Sequence, residues 1–211
     1  MRTIKVEKKT QLETVCKAMA AICKRSAKGG KDALSVIHYS ATHKRLEATD
    51  GRVLLVYSVP NFEESDRDGF FIYQGGFLIE EAHAFTFPEC ERVIPESGKT
   101  NHKGEMFSCV YDIKGEGLSR NKDGIYANAV CILGYLGFRF IPDYIEGVRD
   151  LLADMTRLSV WHKYGETVNN APFVWSNADE YLKYVVMPIM NEDHWEEFKR
   201  EDVKAAEKKT A

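Results

Sequence analysis

The sequence lacks the features that mark membrane, secreted and disulfide-rich proteins. No apolar run reaches the roughly 18 residues that a membrane-spanning helix needs. The first nine residues, MRTIKVEKK, contain no apolar segment of a signal peptide. The five cysteines are an odd number and none forms a CxxC pair, which argues against a disulfide framework and against a zinc ribbon. We therefore expect a cytoplasmic protein with free thiols and no membrane partner.

The motifs of common enzymes and nucleotide sites are also missing. There is no GxSxG, GxxxxGK[ST], GxGxxG or HExxH. The KGGK run at residues 28–31 superficially resembles a phosphate loop, but without a preceding strand it is better interpreted as a helix end. Glu81 and His83 would share one face of a strand, yet two ligands do not make a metal site. We expect no catalytic residue, metal or cofactor, although absent motifs leave an uncharacterised hydrolase open.

The charge is slightly acidic overall and basic at one end. Lys and Arg total 29 against 32 Asp and Glu, a net charge of −3, whereas a protein that holds DNA through its overall charge is usually basic. The first 31 residues, however, are rich in lysine. On the predicted first helix, the cations opposite the apolar face are Lys17, Lys24, Arg25 and Lys28. A solvated helix face is the common outcome for such a run, and a DNA-facing surface is the alternative.

The first sixty residues show a β-α-β-β-β pattern. Ile4 and Val6 alternate with polar residues, as in a half-exposed strand. Thr10 and Glu13 have the spacing of a capping box at the start of a helix. The helix that follows has one apolar face, formed by Leu12, Val15, Cys16, Met19, Ala20 and Cys23. A strand is predicted at residues 33–40, followed by a hairpin at residues 45–59.

The hairpin has the clearest local signal in the chain. Asp50-Gly51 favours a tight turn, because glycine accepts the positive φ that such turns need. As the first residue of this turn, Asp50 already has a structural role. The β-branched and aromatic run at residues 53–57 is typical of a buried strand.

Residues 137–190 repeat the β-α-β-β-β order without repeating the residues. A strand is predicted at 137–142, a helix from Asp143 onward, and further strands at 157–164, 171–176 and 181–189. Residues 61–136 form a middle section with a hairpin across Gly75-Gly76, a proline-bounded extended segment at 87–95 and a polar linker. Residues 191–211 are a charged tail. The predicted organisation is thus 1–60, 61–136, 137–190 and 191–211, with an α+β fold.

Three short stretches carry a family resemblance. ATDGRVL (48–54), FPECERVIP (87–95) and YVVMPIM (184–190) are similar, in order and spacing, to the ATDGHRL, FPDYRRVLP and YVVMPMR motifs of one family. The sequence thereby resembles the bacterial DNA polymerase III beta subunit, the sliding clamp, in a shortened form. The resemblance implies a DNA-clamp-like fold, in which two β-α-β-β-β halves are related by pseudo-two-fold symmetry, here with an inserted middle section.

The resemblance also implies a function and a site. In the family the three stretches line a groove for the short hydrophobic clamp-binding peptides of DNA polymerase and other partners. Carried over, the groove residues are Thr49, Gly51, Arg52, Pro88, Arg92, Val93, Val185, Val186, Met187, Pro188 and Ile189. The expected protein is a non-enzymatic replication accessory factor that contacts double-stranded DNA and forms a homo-oligomer. The alternative is a clamp-fold adaptor that binds such peptides and does not encircle DNA.

Overall fold

The structure is a computed structural model that describes residues 1–59, 67–82, 85–94, 106–112, 143–146, 148, 151, 155–163 and 172–187. Two α-helices lie within these ranges, α1 (Gln11–Lys28) and α2 (Asp143–Glu146). Short 3₁₀ helices lie at Asp32–Leu34 and Cys90–Val93. Among the helices of the described residues, none has the length and apolar content to cross a bilayer.

The described strands form one antiparallel sheet. They are β1 (Thr3–Lys5), β2 (Ile37–Ser40), β3 (Arg45–Thr49), β4 (Val53–Ser58), β5 (Gly69–Gln74), β6 (Phe77–Glu80), β7 (Met106–Asp112), β8 (Arg157–Lys163), β9 (Phe173–Ser176) and β10 (Leu182–Val186). Their order is β1-β6-β5-β2-β3-β4-β10-β9-β8-β7. The register of β4 on β10 pairs Val53 with Val186 and Tyr57 with Leu182. Strands from early and late in the chain therefore meet at the middle of the sheet.

The start of α1 follows the capping box predicted from the sequence. The Thr10 hydroxyl accepts the Glu13 N–H at 3.2 Å, and the Glu13 carboxylate reaches back to the Lys9 N–H at 2.6 Å. The first contact satisfies a backbone donor that the first turn of a helix leaves open. The second differs from a standard capping box, because the carboxylate binds the N–H of the residue before the N-cap Thr10. The helix ends at Gly29, whose N–H donates to the carbonyl of Arg25 at 3.0 Å. The predicted limits of the first helix are thereby confirmed.

The sheet has a large core on one face and a smaller core on the other. We call the side covered by α1 the inner face and the side covered by residues 85–94 the outer face. On β4, Val53 and Leu55 belong to the inner core, and Leu54 and Val56 to the outer core, because successive strand side chains point to opposite faces. The outer core is completed by residues that include Phe87, Cys90, Ile94, Val174 and Val185.

Local predictions in the middle section were partly right. The hairpin of β5 and β6 turns at Gly75 and Gly76, both with positive φ, as predicted. Residues 87–95 were predicted to be extended throughout, and this was wrong, because Cys90–Val93 is a 3₁₀ helix. Pro88 and Pro95 restrict mainly the residues before them and leave the backbone between them free to turn.

The strands predicted outside the middle section are compared here with the observed strands: one begins later than predicted and three match. The strand predicted at 33–40 begins only at Ile37, because Asp32–Leu34 forms a 3₁₀ turn first. The β8, β9 and β10 strands lie where they were predicted. The strand predicted at 137–142, the polar linker and the charged tail at 191–211 lie outside the described residues.

Candidate functional site

The turn between β3 and β4 is held by its own side chains. The Asp50 carboxylate accepts the N–H groups of Arg52 at 2.9 Å and Val53 at 3.0 Å. The Thr49 hydroxyl donates to the Val53 carbonyl at 2.6 Å and accepts the Gly51 N–H at 3.0 Å. Gly51 has φ +82°, which a residue with a Cβ rarely adopts. The structural role predicted for Asp50 is thus confirmed.

The same turn is tied to the end of α1. Arg25 donates through Nε to the Asp50 carboxylate at 3.0 Å, and the Lys31 ammonium donates to the Asp50 carbonyl at 2.8 Å. Asp50 is buried, so its charge needs a partner of opposite sign. The end of α1 and the tip of the hairpin are therefore joined by two charged side chains that both bind Asp50.

A second connection joins the turn to the C-terminal part of the chain. Arg52 donates to the Tyr144 hydroxyl at 2.7 Å, and the Tyr184 hydroxyl donates to the Tyr144 carbonyl. Burial raises the pKa of the Tyr184 hydroxyl, which keeps it protonated as a donor. The Met187 N–H donates to the Arg52 carbonyl at 2.8 Å. The position of Met187 beside the turn is therefore fixed by the backbone.

An apolar pocket of about 170 Å³ lies beside this turn on the outer face. We call it the hairpin pocket. Its lining residues come from the hairpin, from residues 88–93 and from the end of β10, with Leu34 at one side. They are Leu34, Thr49, Gly51, Val53, Leu54, Pro88, Glu89, Cys90, Val93, Val185 and Met187.

The structure brings residues of all three motif stretches to this one pocket. Of the residues predicted for the groove, those that line it are Thr49, Gly51, Pro88, Val93, Val185 and Met187. Val186 faces the inner core instead, since it alternates with Val185 along β10. Arg52 points to Tyr144. Pro188, Ile189 and the side chain of Arg92 lie outside the described residues.

Sequence reasoning missed five lining residues. Glu89 and Cys90 lie inside the second motif, and the 3₁₀ turn there brings them to the pocket. Leu54 is the register partner of Val185, so pairing β4 with β10 places both on the outer face. Strand alternation could have found Leu54 once that pairing was known. Leu34 and Val53, the remaining two, had no signal of this kind.

The cations predicted to face DNA differ in their surroundings. Lys17, Lys24 and Lys28 are exposed on α1. Lys17 forms an ion pair with Glu13 at 2.8 Å, and this contact lowers the pKa of Glu13 and raises that of Lys17. Arg25 is one-third exposed and engaged with Asp50. Two of the four cations thus already have acidic partners in the folded chain.

Among the described residues that could ligate a metal or react chemically, Glu80 is in an ion pair and the cysteines are buried. In these parts of the chain, no group of three or more His, Cys, Asp or Glu residues could hold a metal ion. Glu80 accepts from Arg2 at 2.7 and 2.9 Å, which lowers the pKa of its carboxyl to about 2. His83 lies outside the described residues. Cys16, Cys23 and Cys90 are buried thiols, and burial raises the pKa of Cys16 and Cys23 to about 12.

Comparison with known proteins gives matches in structure but not in sequence. No protein-family model and no curated protein matches the chain. The beta subunit of DNA polymerase III from Thermotoga maritima matches with a TM-score of 0.50 and 15% identity, over 90% of this chain and 65% of that one. The DNA polymerase III beta chain of Streptococcus pneumoniae TIGR4 matches with a TM-score of 0.49 and 11% identity, over 85% of this chain and 63% of that one.

A third match has similar limits. The DNA polymerase sliding clamp of Pseudomonas aeruginosa matches with a TM-score of 0.47 and 15% identity, over 84% of this chain and 65% of that one. This chain therefore spans less than two thirds of the length of each of these proteins. At such identities the likeness of the Thermotoga structure establishes the fold, which the three motif stretches had predicted. The chain has a clamp-like fold, similar to that of the Thermotoga maritima DNA polymerase III beta subunit.

Proposed function

We propose that this protein is a sliding-clamp-like accessory factor of DNA replication, non-enzymatic and cytoplasmic, that holds clamp-binding peptides in the hairpin pocket. One observation carries the proposal. Three stretches that are far apart in sequence, and that were selected for their similarity to sliding-clamp motifs, all contribute to one apolar pocket. The shared fold agrees with this function.

The chemistry of the pocket suits a short extended peptide with one or two apolar anchors. Leu54, Val185 and Val93 present aliphatic surface, which rewards burial of an apolar side chain. Met187 adds a flexible thioether side chain that adapts to different partners. Pro188, Ile189 and Arg92 remain predicted members of the same groove.

We further propose that the sheet comprises two halves related by pseudo-two-fold symmetry. The order β2-β3-β4 on one side of the central pairing corresponds to β8-β9-β10 on the other, and β4 and β10 pair antiparallel. In this proposal residues 1–60 and 137–190 are the halves, 61–136 is the inserted section and 191–211 is the tail. Lys17, Lys24 and Lys28 would then meet the phosphates of double-stranded DNA in a homo-oligomer.

The second candidate is an adaptor that binds clamp-binding peptides without encircling DNA. The charge of α1 favours this candidate, because Lys17 and Arg25 are already paired with Glu13 and Asp50. Fewer unpaired cations mean fewer phosphates neutralised and a weaker hold on DNA.

The peptide-binding proposal can be tested by fluorescence anisotropy. The probe is a short fluorescein-labelled peptide with adjacent Leu and Phe anchors, and a control peptide carries Ser at both positions. Val93→Lys would place a charge in the pocket and Met187→Ala would remove part of its lining, so both should weaken binding of the anchored peptide. Ala82→Lys, which adds the same charge at an exposed site elsewhere, should leave binding unchanged. Affinity that survives both pocket variants would contradict the proposal.

A second experiment separates the clamp from the adaptor. A closed clamp should stay on circular DNA and slide off linear DNA, with retention that falls as salt rises. The mass in solution should then be that of an oligomer. A monomeric mass together with equal loss from both DNA forms would favour the adaptor.

A further inference from the structure

The side chain of His38 lies under the segment that borders the hairpin pocket. The His38 ring stacks on the ring of Phe87, with centroids 4.6 Å apart and planes at 24°. Phe70, from the neighbouring strand β5, packs against the same imidazole at 5.2 Å. His38 is 8% exposed and Phe87 is 7% exposed, so the stacked pair is shielded from water.

A buried carboxylate holds this imidazole in place. Glu47, on β3 opposite His38, is 3% exposed and lies 2.9 Å from His38 Nδ1. Arg45 donates to the other oxygen of Glu47 at 2.6 Å, and Asp68 lies 3.8 Å from His38 Nε2. A buried charge with this many partners strongly favours one arrangement of its neighbours. The His38 imidazole is therefore held in one position on the outer face.

Phe87 connects the His38 imidazole to the hairpin pocket. It immediately precedes Pro88, the first of the pocket residues at 88–93, which we call the pocket wall. The pocket wall is not a strand of the sheet, and the buried side chains of Cys90 and of the flanking Phe87 and Ile94 anchor it to the outer core. Movement of Phe87 would change the distance between the pocket wall and the hairpin.

We propose that His38, held by Glu47, is a positioning residue that sets the width of the hairpin pocket through Phe87. The proposal rests on the proposed function where it concerns peptide binding. The ring stack fixes one end of the pocket wall, and Cys90, Val93 and Ile94 anchor the remainder to the outer core. Loss of the imidazole should let the pocket wall open locally while the inner core stays closed.

The three described thiols offer a direct test. Cys90 lies in the pocket wall, whereas Cys16 and Cys23 lie in the inner core under α1. In the full chain, alkylation by iodoacetamide is followed at each cysteine by peptide mass spectrometry. His38→Ala should accelerate labelling of Cys90 relative to Cys16 and Cys23 by about two- to tenfold, the range that loss of one aromatic contact gives.

Two variants distinguish positioning from general destabilisation. Leu46→Ala, one residue from Glu47 but on the inner face, should accelerate Cys16 and Cys23 at least as much as Cys90. His38→Phe keeps a ring against Phe87 and should restore most of the protection of Cys90. Equal acceleration of all three thiols in His38→Ala, or no acceleration of Cys90, would overturn the proposal.

Peptide affinity provides a second, independent test of the role of His38. With the Leu-Phe peptide as probe, His38→Ala should weaken binding by a similar factor, and His38→Phe should recover it. If the unmodified protein fails to bind the peptide, the proposed function is wrong, and the thiol ratios still decide whether His38 positions the pocket wall. If peptide affinity stays unchanged while Cys90 opens, the link between pocket width and binding is refuted.

Discussion

The inner and outer faces of the sheet are both apolar, yet they are closed in different ways. The inner face is covered by α1, whose buried side chains include Val15, Met19 and Ile22. The outer face is covered by a short segment with a single 3₁₀ turn, anchored by three buried side chains. The short segment leaves the apolar hairpin pocket open beside the turn. The cavity on the inner face, about 210 Å³, is instead lined by α1 together with residues of β2 and β5, among them Cys23, Ile37 and Phe71. Under the proposed function, stability and peptide binding would thus be assigned to opposite faces of the same strands.

Adjacent residues of β4 give the strongest test of this contrast. Leu55→Ala should lower the free energy of unfolding by about 3–5 kcal/mol, because it leaves a cavity in a close-packed core. Leu54→Ala borders an existing pocket, so it should cost only about 2 kcal/mol, close to the transfer term alone. Urea unfolding of both variants measures the two losses. Equal losses would mean that the two faces are packed alike.

Asp50 contributes to both faces, so its substitution should affect stability and peptide binding together. It binds α1 through Arg25 and also shapes the turn beside the pocket. Asp50→Ala should therefore cost about 2–3 kcal/mol, as expected for lost hydrogen bonds to a charged group, and should weaken peptide binding as well. Asp50→Asn keeps an acceptor for the turn but loses the charge, so it should cost less in urea unfolding. A loss of stability with intact peptide affinity would contradict this dual role.

The sequence predicted the parts of this comparison that depend on local chemistry. Thr10 with Glu13, Asp50 with Gly51, and the Gly75-Gly76 turn each satisfy their backbone within a few residues, so spacing alone locates them. Leu46 and Ala48, which alternate with Glu47 and Thr49 along β3, both lie in the inner core. Glu47 is nevertheless buried, since residues 85–94 cover the outer face there.

Contacts between distant parts of the chain could not be predicted in this way. Arg25 was placed on the exposed side of α1 by helical spacing, but its partner Asp50 comes from a hairpin. The 3₁₀ turn at Cys90–Val93 depends on burial of Cys90 and Ile94 against the sheet, which no local pattern reveals. The three motif stretches could be brought together only through a resemblance to a family.

Measuring stability against pH tests an ion pair at the margin of the inner face. Arg2 lies over the Phe71 ring at 5.2 Å and binds Glu80, which lowers the pKa of that carboxyl to about 2. Because the folded pKa lies below the ordinary 4.5, the stabilisation is fully present above about pH 5 and is lost as the pH falls toward 2. The stability difference between the wild type and Glu80→Gln should shrink over that window in urea unfolding. A difference independent of pH would rule out the ion pair as its cause.

The smallest effects on stability are expected on the exposed side of α1. Lys24→Ala and Lys28→Ala remove side chains that face solvent, so urea midpoints should stay unchanged. If these lysines contact phosphates, each substitution should instead reduce the salt dependence of DNA binding by about one unit of slope. Thr14→Ala on the same helix serves as an uncharged control. Unchanged slopes in both lysine variants would favour the adaptor.

The pairing of β4 with β10 also sets the order in which parts of the chain can fold. The floor of the hairpin pocket combines Leu54 from the first sixty residues with Val185 from the last strand described. Contacts between such distant segments close large loops and form late. During synthesis the hairpin leaves the ribosome long before β10, so the edge of β4 stays unpaired by β10 until that strand emerges. The hairpin pocket therefore gains its complete lining only after β10 has been synthesised and has paired with β4.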